Sequence, residues 1–264
     1  MRSRSVWHTA QPPTSLLPIS FSSPRRRARR SATKNARSSV SAFADVDWKR
    51  FDFVDLGCSK GGSLDWCGKR FEARRGLGVD LDPGKVHQTL EAGFDAVVAD
   101  ATELDIEDAV RFVSMMDFLE HLPGLDLVEA SIERAASVAT DFIFIRHPSF
   151  EGEGFLEGSG VRQYWWRWSG HTAHPQVADY CGMFERIGLR QYTILYREPV
   201  HDSSHPSILP LDAPVNQHAF DPAVHSRKPE VKFERPLWRM QDILVALRPF
   251  SASDWAKVVA AVGR

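Results

Sequence analysis

From Phe51 onward, short apolar runs alternate with stretches whose apolar residues recur at helical spacing. Short apolar or alternating runs bounded by turn residues read as strands, and apolar positions three and four apart read as one face of a helix. The pattern predicts strands at Phe53–Leu56, Gly76–Asp80, Ala96–Ala99, Phe112–Met115, Asp141–Arg146, Gln191–Arg197 and Asp242–Leu247. It predicts a helix over Ser63–Arg74, with Leu64, Trp66, Cys67 and Phe71 as its apolar positions, and another over Pro83–Ala92, with proline near its start. Leu125–Ala139 and Val177–Ile187 are two further amphipathic helices, the second stopped by Gly188. Strands alternating with helices imply parallel pairing in an α/β sheet. In open sheets of that kind, ligands bind where the strands end.

Two segments break the alternation. Residues 148–175 contain "EGEGFLEGSG" and "YWWRWSGHTAHP"; residues 199–236 are rich in proline and histidine. Loops of this length are usually functional or disordered. The first follows a strand end directly and is expected to help cover a substrate. The second is read as an insertion between the last two strands, with no role assigned. The expected organisation is a single domain over residues 45–264 carrying both insertions.

Charge changes the picture at one end. Residues 1–44 hold nine Arg or Lys and no acid, so residues 45–264 carry a net charge of −10. The basic, Ser-rich start has too little apolar periodicity to bury anything and reads as a disordered extension. Its composition also suits an organelle transit peptide, and a misplaced start codon would leave the same signature. The expected compartment is therefore the cytoplasm, or the interior of a mitochondrion or chloroplast if the segment is a targeting signal. No apolar run is long enough for a transmembrane helix. An acidic body argues against a nucleic-acid substrate, because phosphate binding needs a basic surface. Cys58, Cys67 and Cys181 are too few and too scattered for a disulfide framework or a cysteine zinc site.

The candidate chemistry sits at the strand ends. "VDLGCSKGG" (residues 54–62) runs from the first strand into a glycine loop, which lets backbone approach a ligand at a helix N-terminus. Asp80 ends the second strand, where an acid can hydrogen-bond a ribose diol. Asp100 ends the third in "VVADA", and "FVSMMDFLEHLP" follows the fourth. As a set, these motifs resemble the class I S-adenosylmethionine-dependent methyltransferases over about residues 51–198. The resemblance implies a Rossmann-like, doubly wound sheet of seven strands, mostly parallel with an antiparallel last strand. It implies S-adenosylmethionine as cofactor, wrapped by Asp55, Gly57, Cys58, Ser59 and Gly61. Asp80 and Leu81 would lie at the ribose, Asp100 and Ala101 at the adenine, and Met115 and Met116 near the amino and methyl groups. Ser59 stands where a glycine is usual, which is harmless at negative φ and strained otherwise.

Asp117, Glu120 and His121 form D-x-x-E-H. On one helical turn, Asp117 would share a face with Glu120 and with His121. Two carboxylates and an imidazole can hold Mg²⁺ or a similar divalent cation. The motif resembles the E-x-x-E-H of ubiquinone-biosynthesis O-methyltransferases and small-RNA 2′-O-methyltransferases, with Asp117 one methylene shorter than the first Glu. The resemblance implies a further histidine ligand, for which His171 is the candidate and His174 a neighbour. Without a metal, His121 is the candidate general base. Tyr164, Trp165, Trp166 and Trp168, interleaved with Arg162 and Arg167, read either as a stacking platform for a planar acceptor or as loop packing. Arg146, His147 and Pro148 leave the fifth strand beside them, and His201, His205, His218 and His225 read as a solvated loop. The leading expectation is an enzyme that methylates a small molecule, on oxygen. RNA as the acceptor, and cofactor binding without catalysis, are the alternatives.

Overall fold

The computed structural model describes residues 42–263. The expectations for residues 1–41 lie outside the described residues. Residues 42–44 belong to the folded body: Phe43 is buried against Trp48, with ring centroids 6.1 Å apart.

The sheet strands are β1 (Phe53–Leu56), β2 (Gly76–Asp80), β3 (Asp95–Val98), β4 (Val110–Met116), β5 (Ala139–Pro148), β7 (Gln191–Asp202) and β9 (Lys232–Ala246). They form one seven-stranded sheet in the order β3-β2-β1-β4-β5-β9-β7. The first five are parallel, and β9 runs antiparallel to both β5 and β7. Helices α3 (Leu125–Val138) and α5 (Val177–Ile187) pack Val128, Ile132, Tyr180 and Phe184 on one face of the sheet. On the other face α1 (Gly62–Arg70) and the final helix α6 (Ala252–Gly263) supply Leu64, Cys67, Trp255 and Val259. Helix α2 (Pro83–Glu91) begins with Asp82, whose carboxylate accepts from Gly84 and Lys85 N–H. The architecture is the expected doubly wound one.

One cross-strand row sets the register. Phe53, Phe112 and Phe142 are direct partners on β1, β4 and β5 and stack at 4.7 and 4.8 Å. Gly76 is the β2 partner of Phe53, and a Cβ there would lie 2.3 Å from the Phe53 ring. Stacked rings of this kind add about 1 kcal/mol each beyond burial. Phe71 joins the row edge-on against Phe112, 5.1 Å away. That contact explains why α1 stops at Arg70, short of the expected Arg74. Glu72 turns at φ 52°, so Phe71 swings into the stack instead of continuing the helix.

The two insertions meet. Helix α4 (Glu153–Gly158) and strand β6 (Val161–Gln163) come from the first, and strand β8 (Ile208–Pro210) from the second. β6 and β8 pair antiparallel over a separate core of Phe150, Leu156, Val161, Trp165, Trp166, Val200, Ile208 and Phe233. The irregular stretch of the second insertion is narrower than expected, because β7 runs on to Asp202 and β9 starts at Lys232.

β9 is fastened between its neighbours by a buried ion pair. Asp242 is fully buried and accepts two bonds from the Arg146 guanidinium, at 2.5 and 2.9 Å, and one from Arg197 Nε. Arg146 also lies over the Trp66 ring at 4.3 Å. Removing one member of such a group leaves the other charges uncompensated. Asp242→Asn is therefore expected to lower unfolding free energy by about 3 kcal/mol. Urea denaturation checks this, and an unchanged midpoint would show that the two arginines are served by solvent instead.

Candidate active site

The chain leaving β1 bends through three left-handed residues in five: Gly57 (φ 77°), Ser59 (φ 48°) and Gly61 (φ 87°). Gly57 and Cys58 N–H both donate to Val79 O, at 2.8 and 3.1 Å, which ties the bend to the end of β2. Ser59 N–H donates to Asp80 Oδ2 at 3.0 Å, and Ser59 O accepts from Thr89 Oγ1 of α2 at 2.8 Å. Ser59 therefore takes the strained alternative left open by the sequence, and Asp80 and Thr89 hold it there. Gly57 has no substitute: a Cβ there would sit 2.6 Å from the Phe118 ring.

A cavity of about 760 Å³ opens above this bend, at the carboxyl ends of β1, β2 and β4. Its size falls within the range of small-molecule and cofactor pockets. Of the expected residues, Gly57, Cys58, Ser59, Asp80, Leu81, Asp100, Ala101, Met116, Asp117 and His121 line it. Asp80 spends two of its acceptor sites on Ser59 and Asp82 N–H, the latter at 2.9 Å, and retains two. Asp100 Oδ1 accepts from Thr102 N–H and Oγ1, at 2.8 and 2.7 Å, and its second oxygen is not used there. Leu81 is 68% exposed at the lip, a strongly exposed leucine.

Five of the expected residues do not line it: Asp55, Gly61, Met115, Glu120 and His171. Asp55 is fully buried beneath the bend, where its carboxylate accepts from Ser114 Oγ at 2.7 Å and from Ser63 Oγ. Burial pushes its carboxyl up to about 6, against the pull of those two hydroxyls. It faces the core because β1 is buried on both sides. Gly61 caps α1, packed under Phe94. Met115 points into the core, since strand alternation sends only Met116 to the cavity. Glu120 is buried and does not line the cavity. Conversely Trp66, Phe118 and Thr102 line it without having been singled out for it. Trp66 was legible only as an apolar helix position.

The D-x-x-E-H stretch is not one helical turn. Asp117 is left-handed (φ 49°), with its N–H on Arg146 O at 2.7 Å, and Leu119–His121 is a 3-10 turn. The side chains therefore diverge. Asp117 reaches the cavity, where the surrounding protein raises its carboxyl, opposed by Arg146 and His121. Glu120 turns inward, 1% exposed, with no hydrogen-bond partner on either oxygen. Burial, reinforced by Asp117, pushes it up to about 8. His121 lies on the rim and His171 beside it, ring centroids 5.0 Å apart.

Glu120, His121 and His171 can each offer one ligand atom within 4.8 Å of the others. Asp117, expected in this set, does not join it. Both imidazoles are oriented alike: His121 Nδ1 faces Gly170 O at 2.8 Å and His171 Nδ1 faces Trp165 O at 2.9 Å. A carbonyl only accepts, so each Nδ1 carries a proton and each neutral ring keeps its lone pair on Nε2. Burial, with His121 and His174 nearby, pushes His171 down to about 4, so it is neutral near pH 7. Histidines that ligate metals are generally held in this way, through the far nitrogen. His174 instead stacks on Phe150 and pairs with Glu153 at 3.5 Å.

The aromatic stretch divides. Trp165 and Trp166 are buried in the core between the insertions, and Arg162 is buried with its guanidinium on the Ala213 and Pro214 carbonyls, both at 3.0 Å. Those residues are packing. Tyr164 and Trp168 are only half-buried, outside that core's centre. His147, expected near a pocket, is fully buried on Tyr180 Oη and the Gln241 amide, at 2.7 and 2.9 Å. The histidines beyond residue 200 are not uniformly solvated: His225 is 8% exposed and stacked on Phe220, and His218 lies 4.5 Å from Trp168.

A family model described as FtsJ-like methyltransferase matches residues 30–155. Among solved structures, a SAM-dependent methyltransferase from Archaeoglobus fulgidus is 18% identical and covers 74% of this chain and 85% of its own, with a TM-score of 0.51. The YcgJ protein from Bacillus subtilis is 13% identical and covers 76% and 93%, with a TM-score of 0.53. Likenesses at these identities show a shared fold. No curated protein matches the chain.

The left-handed bend separates two substitutions in sign. Gly57→Ala is expected to cost about 3 kcal/mol, from its φ and the contact with Phe118. Ser59→Gly is expected to stabilise by about 1 kcal/mol by removing the left-handed penalty of an L-residue. Thermal or urea unfolding of both variants decides; a destabilised Ser59→Gly would mean that the serine side chain holds the bend.

Proposed function

The chain is a member of the class I S-adenosylmethionine-dependent methyltransferase superfamily, and from that premise we propose that it methylates an oxygen of a small-molecule acceptor. The observation that carries this reading is the grouping of Glu120 and His171 with His121, the one member of the three that lines the cavity. A neutral amine can attack through its own lone pair and shed a proton afterwards, whereas a hydroxyl must lose its proton as it attacks.

S-adenosylmethionine, when bound, supplies an electrophilic methyl with its own leaving group. The chain's residues then have to hold and align the two partners. Asp80 would accept the ribose hydroxyls on its unspent lone pairs, and the free oxygen of Asp100 would accept the adenine amine. The backbone of Gly57, Cys58 and Ser59 would carry the methionine end, with Met116 beside it. Trp66 and Phe118 add apolar surface to the lining of the cavity. With no cation bound there, His121 presents its Nε2 lone pair at the rim, where it can take the acceptor's proton.

A divalent cation fits the same residues. Glu120 has two orphaned oxygens in a buried setting, and two imidazoles stand beside it, each with Nδ1 on a backbone carbonyl. Such an ion would supply Lewis acidity to the acceptor hydroxyl. An unpaired buried carboxyl is costly, and a cation would relieve it. The acidic body favours a small molecule over RNA.

Calorimetry with S-adenosylhomocysteine should show binding that Asp80→Ala weakens at least about tenfold, the loss of hydrogen bonds to a charged acceptor. With labelled donor and a pool of small hydroxylated metabolites, label should move to the pool. His121→Ala should slow that transfer by about 100-fold or more while leaving homocysteine-analogue affinity nearly unchanged. Chelation followed by Mg²⁺ or Mn²⁺ should restore turnover in the wild type and fail to do so in Glu120→Gln or His171→Ala. Turnover indifferent to chelation would leave His121 as base without a metal, and wild-type turnover in His121→Ala would reject the oxygen acceptor chemistry drawn here.

A further inference from the structure

The cavity has two lysines that the donor placement above does not use. Lys60 and Lys85 both line it and both are exposed. Among the described residues no carboxylate lies within ion-pair distance of either Nζ, although Asp80 lines the same cavity. Their places differ. Lys85 stands on the first turn of α2, beside Asp80 and Leu81, at the nucleoside end. Lys60 belongs to the bend itself, next to Gly57, Cys58 and Ser59, with Ser63 and Trp66 following it along the cavity wall.

The backbone under Lys60 is fixed while its side chain is free. Gly61 N–H donates to Cys58 O at 2.9 Å, closing a tight turn with Ser59 and Lys60 at its inner positions. Ser59 is bonded on both sides, its N–H to Asp80 and its O to Thr89. Lys60 is held between the left-handed residues Ser59 and Gly61. A long cationic side chain is thereby planted on an anchored turn. The surroundings are acidic: Asp55 is buried beneath the bend and Asp80 stands beside it. An anion above the bend would face both, and Lys60 is the cation placed to offset them.

We propose that Lys60 binds the α-carboxylate at the methionine end of the donor. This rests on the donor placement drawn above, in which Asp80 and Asp100 take the sugar and the base, and it supplies the charge partner that placement leaves open. S-adenosylmethionine and S-adenosylhomocysteine both end in an amino acid, so a carboxylate enters the cavity at the end away from the purine. Taken from water without a cation beside it, that carboxylate is costly. Lys85 stands at the other end, where the ligand carries only sugar and base. Lys60 therefore makes the amino acid part of what the site recognises. A nucleoside with the same sugar, base and thioether but no carboxylate forfeits the contact.

The test is calorimetry on the full chain at low ionic strength with two probes. One is S-adenosylhomocysteine; the other is S-adenosyl-3-thiopropylamine, the same molecule without its carboxylate. Lys60→Met keeps the length of the side chain and removes its charge. It should weaken S-adenosylhomocysteine about fivefold, the upper range for an ion pair at an exposed site. It should leave the decarboxylated probe within about twofold of the wild type, which also shows that the variant is folded. Lys60→Arg should keep the wild-type preference between the probes, and Lys85→Met should change both probes by the same factor. The selective loss in Lys60→Met should shrink as salt is raised, because the pair is exposed. An equal loss of both probes in Lys60→Met would make the lysine a packing residue of the bend and overturn the inference. Unchanged S-adenosylhomocysteine affinity in that variant would overturn it too. So would the same selective loss in Lys85→Met, the mark of a diffuse field in place of a pair. Each of these leaves the donor reading standing, whereas a wild type that binds neither probe would strike that reading and the inference with it.

Discussion

The site depends on one short piece of backbone held in a conformation that most residues avoid. Between Leu56 and Gly62 the chain reverses through three left-handed positions, one of them a serine. What keeps it there is a carboxylate on the next strand. Asp80 receives Ser59 N–H on one oxygen and Asp82 N–H on the other, so a single side chain fixes the glycine bend and the start of α2 together. The same bend leaves Gly57 bare against Phe118, the residue after Asp117. Any outward shift of the bend would therefore move the turn that carries Glu120 and His121. The glycine bend and the turn that carries Glu120 and His121 are coupled by van der Waals contact.

The second half of the site shows the same economy. Asp117 is left-handed, and its N–H is spent on Arg146 O. That twist throws Asp117 toward the cavity and Glu120 away from it. A buried carboxyl without a partner costs on the order of a few kcal/mol, and stable folds seldom retain one without a use. The charges on the opposite side of β5 are managed differently: Asp242 is fully buried and spends three acceptor sites on Arg146 and Arg197. Two buried acids a few strands apart thus stand in opposite states, one paired and fastening the sheet and one without a hydrogen-bond partner.

Much of this was legible in the sequence because its causes are local. "VDLGCSKGG", "GVDLDP" and "VVADA" sit at strand ends by their own apolar patterning, and the strand ends fix the donor cavity. His171 could be placed beside His121 only through a family resemblance, yet the fold brings them together. α6 was equally local, with Trp255, Val259 and Val262 at helical spacing after Ser251, and it went unread. What could not be read depends on distant partners. β6 and β8 are three residues each and exist because they pair with one another. The division of Tyr164–Trp168 into buried and half-buried rings depends on that pairing, and the bond from Ser169 N–H to Asn216 joins the two insertions across 47 positions. The inward turn of Glu120 depends on a single φ at Asp117, which a D-x-x-E-H pattern does not reveal.

The most direct measurement is a crystal structure of the chain with S-adenosylhomocysteine. The account predicts electron density for the nucleoside across the carboxyl ends of β1, β2 and β4, its ribose hydroxyls on Asp80, its adenine beside Asp100 and Ala101, and Ser59 still left-handed beneath the homocysteine. Density that places the sugar away from Asp80, or a bend that flattens to let the ligand enter, would contradict it.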